Sequence, residues 1–176
     1  MRIISGIYKS RILYSPDSTK VRPTSDRAKE TLFNMLENRM EFDGITCIDL
    51  FCGTGNLGLE CISRGAANCY FVDLNTDLVN KNIVKLDAEN KSEVFKMKAI
   101  SFLNKFTEIK ADIIFCDPPY LYNKYDKLLS KILPIKTICI LEHSEKFLLS
   151  SEFEKFVFLR KNIGTINFTF FDFNKS

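Results

Sequence analysis

The tetrapeptide Asp117-Pro118-Pro119-Tyr120 follows an apolar run that ends at Cys116. Consecutive prolines fix φ at about −65° and remove two backbone donors. What remains is a rigid pair of acceptors, the Asp117 carboxylate and the Pro118 carbonyl, beside the flat face of Tyr120, on which a base can stack. That combination suits group transfer to an exocyclic amino nitrogen. The lone pair of such an amine is delocalised into its ring, so the amine is a poor nucleophile. Acceptors gripping its N–H bonds draw it toward tetrahedral geometry, and in-line positioning can then supply most of the rate. Guanine presents N1–H and N2–H side by side, and one carboxylate can accept both. Adenine and cytosine pair an amine with a ring acceptor, which an asparagine would match better. Asp117 therefore points to guanine N2, with adenine N6 as the competing target. Alone, the tetrapeptide is also compatible with a stiff turn that merely ends a strand.

A second segment, residues 49–58, reads Asp-Leu-Phe-Cys-Gly-Thr-Gly-Asn-Leu-Gly. Gly53 and Gly55 would let a ligand approach the backbone, and Gly58 would let a helix lie close on a strand. Asp73 ends the next apolar run, where its carboxylate can accept two hydrogen bonds from a ribose diol. These features describe an adenosine-containing cofactor. The spacing satisfies G-x-G-x-x-G, so a nicotinamide dinucleotide competes. Against it, an anion at Asp49 opposes a pyrophosphate and favours a cationic amino-acid tail. The single histidine, His143, leaves little for proton transfer in hydride chemistry and is expected to be a hydrogen-bonded loop residue. S-adenosylmethionine fits better, and a glycine turn that only packs is the plain alternative.

Both turns must end strands on one rim of a sheet. Apolar runs predict strands at 45–51, 69–73, 94–99, 111–116 and 135–142, with helices at 57–63 and 76–89 and a short one opening at Ser101. Strands separated by helices imply a doubly wound α/β fold, a parallel sheet whose ligands sit beyond its carboxyl ends. Two further β-rich runs, 153–161 and 165–173, lack a helix between them and should form an antiparallel hairpin at one edge. Phe168, Phe170, Phe171 and Phe173 read as alternating core and edge positions of that hairpin. Ahead of the sheet, residues 2–14 read as a short hairpin around Gly6 and residues 16–18 as a turn. A helix capped by Thr24 or Ser25 should bury Ala28, Leu32, Met35 and Leu36, with Phe33 beside them, and end near 42–44.

Composition bounds the rest. The chain has 176 residues, 45% hydrophobic and 27% charged, with 7 Gly and 5 Pro, which suits one globular domain. No apolar run approaches the ~20 residues of a membrane span, and the start lacks a signal-peptide core, so a cytoplasmic protein is expected. Six cysteines without a C-x-x-C pair read as reduced, buried thiols, and no metal is expected. Residues 1–40 hold eight cations against four anions, in a chain of net charge +3. Such an arm fits a polyanion such as nucleic acid, or is an ordinary solvated surface.

Four segments together resemble one family: R-I-I-S-G at 2–6, V-R-P-T-S-D-R-A-K-E-T-L-F-N-M-L at 21–36, D-L-F-C-G-T-G-N-L-G-L-E at 49–60 and D-P-P-Y at 117–120. They resemble the RsmD family of bacterial 16S ribosomal RNA guanine-N2 methyltransferases, and 21–36 is the most specific of them. The resemblance extends to the terminal hairpin, where Gly164 matches. It implies a Rossmann-like, class I fold dependent on S-adenosylmethionine, with a mostly parallel seven-stranded sheet and an antiparallel C-terminal hairpin. That domain would span 41–176, after a small basic extension at 1–40. The implied reaction methylates a guanine of 16S RNA in the assembled or assembling small subunit and leaves S-adenosylhomocysteine; a monomer is expected. DNA adenine-N6 methylation, or a non-catalytic assembly factor that keeps the fold, are the alternatives.

Carried onto this sequence, the resemblance assigns residue roles. Asp49, Phe51, Gly53 and Gly55 would line the methionine end, Asp73 would meet the ribose, and Ala99 and Ser101 would flank the adenine. Leu50, Cys52, Thr54 and Leu74 would be further cofactor-binding residues. Asp117, Pro118, Pro119 and Tyr120 would hold the target base. Arg22, Thr24 and Arg27 would contact RNA, with Lys9 and Arg11 as further candidates. Lys98 departs from the pattern, because an acidic or amide residue usually precedes the Ala and accepts from the adenine amine.

Overall fold

Short β-branched and apolar runs form the centre of the sheet because parallel strands are covered on both faces. In the computed structural model, which describes residues 1–16, 26–145, 147–164 and 166–175, the strands are β1 (Thr46–Leu50), β2 (Asn68–Asp73), β3 (Ser92–Lys96), β4 (Ile113–Cys116), β5 (Ile138–His143), β6 (Val157–Ile163) and β7 (Ile166–Asp172). The helices are α1 (Asp26–Glu37), α2 (Asn56–Ser63), α3 (Asp77–Leu86), α4 (Ala99–Lys105), α5 (Tyr125–Ile132) and α6 (Ser151–Glu154). The seven strands form one sheet in the order β3-β2-β1-β4-β5-β7-β6. Strands β1 to β5 run parallel, and β7 is antiparallel to both β5 and β6. This is the expected doubly wound architecture with its antiparallel C-terminal hairpin.

Side chains alternate across the sheet. Cys47, Phe71 and Phe115 face a layer built from the N-terminal residues, α1, α2 and α3. Ile48, Leu50, Val72 and Cys116 face the opposite layer of α4, α5 and α6. Ile3, Leu13, Leu32 and Phe33 belong to the first layer, so the N-terminal residues and α1 share their core with the sheet. All six cysteines are buried and free.

Several expectations change. The hairpin at 2–14 is present but short: one antiparallel bridge joins Arg2 to Ile12, flanked by hydrogen bonds from Ile3 N to the Arg11 carbonyl at 2.9 Å and from Leu13 N to the Met1 carbonyl at 3.1 Å. Helix α1 ends at Glu37, several residues before the anticipated turn, and the proposed caps Thr24 and Ser25 lie outside the described residues. Strand β3 leaves the sheet at Lys96, so Ala99 opens α4 instead of ending a strand. Helix α5, which no sequence signal had singled out, covers the sheet with Leu128, Leu129 and Ile132. The phenylalanine-rich strand is no edge. Strand β7 inserts between β5 and β6, so Phe168, Phe170 and Phe171 are buried on both of its faces. Lys29, counted among the basic residues of the arm, has no exposed surface and pairs with Glu60 at 2.9 Å.

Candidate active site

The order of the strands brings the two turns together. The chain moves outward from β1 through β2 to β3, then returns to place β4 on the other side of β1. Ligand sites in such sheets lie at this reversal. Leu50 is in register with Cys116, so the glycine turn after β1 and the Asp-Pro-Pro-Tyr turn after β4 leave the sheet side by side. The Asp117 N–H donates to the Leu50 carbonyl at 3.4 Å. Beyond these ends lies a cavity of about 940 Å³, lined by Asp49, Gly53 and Asp73 on one side and by Asp117, Pro118 and Tyr120 on the other. The volume lies within the range of small-molecule sites.

On the β1 side, the turn is held in an uncommon shape. Phe51 has φ +63°, a left-handed conformation that costs a non-glycine residue about 1–2 kcal/mol. The Val72 carbonyl fixes it by accepting from Phe51 N at 2.8 Å and Cys52 N at 3.2 Å. Gly53 opens toward free space, whereas a Cβ at Gly55 would meet Val79 Cγ2 at 2.6 Å. Gly53 therefore faces the cavity, while Gly55 lets the turn pack on α3. Leu50 also faces away from the cavity, because strand alternation sends it into the opposite core layer. Of the residues assigned to the cofactor, Asp49, Phe51, Cys52, Gly53, Thr54, Asp73, Leu74, Ala99 and Ser101 line the cavity; Leu50 and Gly55 do not.

The carboxylates differ in environment. Asp49 is buried, and its Oδ2 accepts from the Gly58 N–H at 2.9 Å, which pins the first turn of α2 to β1. Burial pushes its carboxyl well above the usual carboxylate range, against the pull of that hydrogen bond. Asp73 accepts from Gly53 N at 2.9 Å through Oδ2 and from Asn75 N at 3.0 Å through Oδ1. It thus locks the turn after β2 to the turn after β1, and each oxygen retains a second lone pair. Burial pushes the Asp117 carboxyl up to about 6, so at neutral pH it remains an ionised acceptor.

Sequence reasoning missed an aromatic wall. The Phe51 ring meets Tyr122 at 5.2 Å edge-on, and Tyr122 meets Tyr125 at 5.3 Å. The Tyr122 N–H donates to the Pro119 carbonyl at 2.7 Å, closing a turn that sets Tyr120 out at 71% exposure on the rim. The Tyr122 hydroxyl is buried with no hydrogen-bond partner, and burial pushes its pKa up to about 12. The repeat of tyrosines at 120, 122 and 125 was the available signal. Met1 and Pro16 also line the cavity, and nothing in the sequence marks them.

His143 ends β5 with both ring nitrogens engaged, Nδ1 with the Ser144 carbonyl at 3.0 Å and Nε2 with Thr169 Oγ1 at 2.9 Å. A carbonyl only accepts, so Nδ1 carries the proton and Nε2 accepts from the hydroxyl. Burial draws its pKa down. Neither nitrogen is left to act as a base, in line with its reading as a hydrogen-bonded residue. Lys98 is exposed at the cavity rim, just before α4. The nucleic-acid candidates Lys9, Arg11 and Arg27 are exposed and lie outside the cavity lining, while Arg22 and Thr24 fall outside the described residues.

Comparison with known proteins places this geometry. The family model described as Conserved hypothetical protein 95 matches residues 1–172. YlbH of Bacillus subtilis (strain 168) is 38% identical over 137 residues, 75% of this chain and 73% of the relative. Ribosomal RNA small subunit methyltransferase D of Haemophilus influenzae is 35% identical over 135 residues, 74% of this chain and 69% of the relative. Among solved structures, yhhF from Escherichia coli superposes with a TM-score of 0.79 at 26% identity, over 98% of this chain and 97% of its own. SMU.776, determined in complex with S-adenosylhomocysteine, shares the fold with a TM-score of 0.64 at 17% identity, over 82% of this chain and 49% of its own. With nearly its whole length matched by the family model, the chain belongs to the family described as Conserved hypothetical protein 95, the RsmD family.

Proposed function

We propose that this protein transfers the methyl group of S-adenosylmethionine to the exocyclic N2 of a guanine in 16S ribosomal RNA of the small subunit. The observation that carries the reading is that Asp73, Asp117 and Tyr120 line one shared cavity. The names of the relatives and the S-adenosylhomocysteine bound to SMU.776 support it.

The residues present suit the cofactor. Gly53 offers backbone without a side chain in the way, and Asp73 retains lone pairs for a ribose diol. Asp49 is a buried carboxylate that an ammonium group would compensate, and the unpartnered Tyr122 hydroxyl is a further polar group for a ligand to satisfy. When bound, S-adenosylmethionine supplies a methyl carbon on a positively charged sulfur that leaves without acid assistance. The protein's task is then to hold the base. A guanine turned out of its helix stacks on Tyr120 while the Asp117 carboxylate accepts from N1–H and N2–H together. The Pro118 carbonyl is a second acceptor for the amine. As the N2–carbon bond forms, N2 gives up a proton, which the Asp117 carboxylate or solvent takes. No histidine base is required. Lys9, Arg11, Arg22, Thr24 and Arg27 contact RNA phosphates in this reading.

The test is methyl transfer from labelled S-adenosylmethionine to small-subunit RNA carrying either guanine or inosine at the modified position. Inosine lacks the 2-amino group, so transfer should vanish with it. Equal labelling of both RNAs, or labelling of adenine, would overturn the assignment to N2.

A further inference from the structure

Two buried polar nodes join the first residues of the chain to the glycine turn. Lys29 of α1, with no exposed surface, uses all three of its N–H donors. They go to the Arg2 carbonyl at 2.7 Å, Asn56 Oδ1 at 2.7 Å and Glu60 Oε2 at 2.9 Å. Glu60 also accepts from Ile4 N at 2.8 Å, Ser5 N at 3.0 Å and Arg64 Nε at 2.9 Å. Asn56 opens α2 directly after Gly55 and lines the cavity. The second node is Asn82 of α3, also fully buried. Its Oδ1 accepts from Tyr14 N at 2.7 Å, and its Nδ2 donates to the Tyr14 carbonyl at 3.1 Å and the Thr54 carbonyl at 2.9 Å.

The same N-terminal residues form part of the cavity. Met1 and Pro16 line it, and the Thr54 hydroxyl donates to Met1 Sδ at 3.3 Å. A basic arm that served only to touch RNA would need none of this. Buried ionic and amide networks are costly when half satisfied and hold one arrangement when complete. Here each node links one end of the arm to one residue of the glycine turn.

We infer that residues 1–16 are a component of the cofactor site, in which Lys29 and Asn82 act as positioning residues that hold the glycine turn through Asn56 and Thr54. Docking of the N-terminal residues and cofactor binding are therefore linked. Linkage is reciprocal, so whatever the docked arm contributes to cofactor affinity, the bound cofactor returns to arm docking. This inference rests on the cofactor proposed above and not on the choice of base.

The experiment uses the full chain with S-adenosylhomocysteine as probe. Amide hydrogen exchange at Ile4, Ser5 and Tyr14 should slow by about tenfold when the probe saturates, within the usual span of coupling energies. Calorimetry should show Asn82→Ala binding the probe about tenfold more weakly while it still melts cooperatively. Lys29→Met should do the same, although it leaves Glu60 with fewer cationic partners and can fail to fold. Asn82→Ala removes no charge, and the exchange comparison on the unaltered protein needs no variant, so the test stands if Lys29→Met is lost. Unchanged exchange at these amides with the probe bound would overturn the linkage alone, as would a folded Asn82→Ala that binds like the parent. Failure of the parent to bind the probe at all would overturn the cofactor reading with it.

Discussion

Replacing Asp117 with asparagine should make the cofactor-free protein more stable at neutral pH while it silences methyl transfer. Burial lifts the carboxyl from 3.8 to about 6. At about 1.4 kcal/mol per unit, ionising Asp117 in the folded state costs up to about 3 kcal/mol relative to the unfolded chain. The folded state holds the proton more tightly, so its contribution to stability is present below 3.8 and is lost as pH rises through 6. Asparagine has nearly the same shape and does not titrate. Asp117→Asn should therefore exceed the parent by up to about 3 kcal/mol near pH 8, with the difference shrinking below about 1 kcal/mol near pH 4. Solvent that reaches the partly exposed residue lowers the upper figure. Urea unfolding of both proteins across this range measures the difference directly, and because the Asp117 charge also helps to hold the Asp49 carboxyl up, its removal adds to the gain at high pH. Activity should fall by about a hundredfold or more, because the amide replaces one acceptor by a donor against guanine. In the parent, kcat/KM should drop tenfold per pH unit below about 6, as Asp117 takes up its proton. A pH-independent stability difference, or a variant less stable than the parent at pH 8, would refute the claim that the carboxylate is held at the expense of the fold.

Other consequences follow from the same geometry. Tyr120→Ala should weaken RNA binding by about 1–3 kcal/mol, seen by fluorescence anisotropy, and leave S-adenosylhomocysteine affinity unchanged by calorimetry. Gly58→Ala would place a Cβ at 2.4 Å from Phe71 Cε1 and 2.6 Å from Cys69 Sγ, and the overpacking should cost about 1–3 kcal/mol by denaturant unfolding. Lys98→Asp would put an acceptor at the cavity rim where the chain now has a cation, and S-adenosylhomocysteine should bind tighter by about 0.5–1.5 kcal/mol in calorimetry.

Much of this was legible in the sequence because parallel strands covered on both faces read as unbroken apolar runs. Runs such as Ile113–Cys116 sit between turn residues, so both the strand and the turn that follows it could be located. The reversal of strand order then brought the two turns together without any local signal for it. What escaped was tertiary. Lys29 reads as a surface cation because its counter-ion, Glu60, lies a whole helix and strand further along the chain. Gly55 looks like a ligand-facing glycine until Val79, on α3, is seen to fill the space beside it. Met1 and Pro16 give no sequence signal and reach the cavity through tertiary packing, with Ile3 and Leu13 buried in the core and Asn82 and Lys29 bonded to Tyr14 and Arg2. The C-terminal hairpin was visible as two β-rich runs, but which of them would meet β5 depends on the sheet and not on either run.

The most direct test of the proposed chemistry is the identity of the methylated nucleoside. Small-subunit RNA treated with the protein and S-adenosylmethionine, digested to nucleosides and resolved by mass spectrometry, should yield N2-methylguanosine, and Asp117→Ala should yield none. Appearance of N6-methyladenosine instead, or of no methylated nucleoside from the unaltered protein, would contradict the assignment of Asp117 and Tyr120 as the grip on guanine.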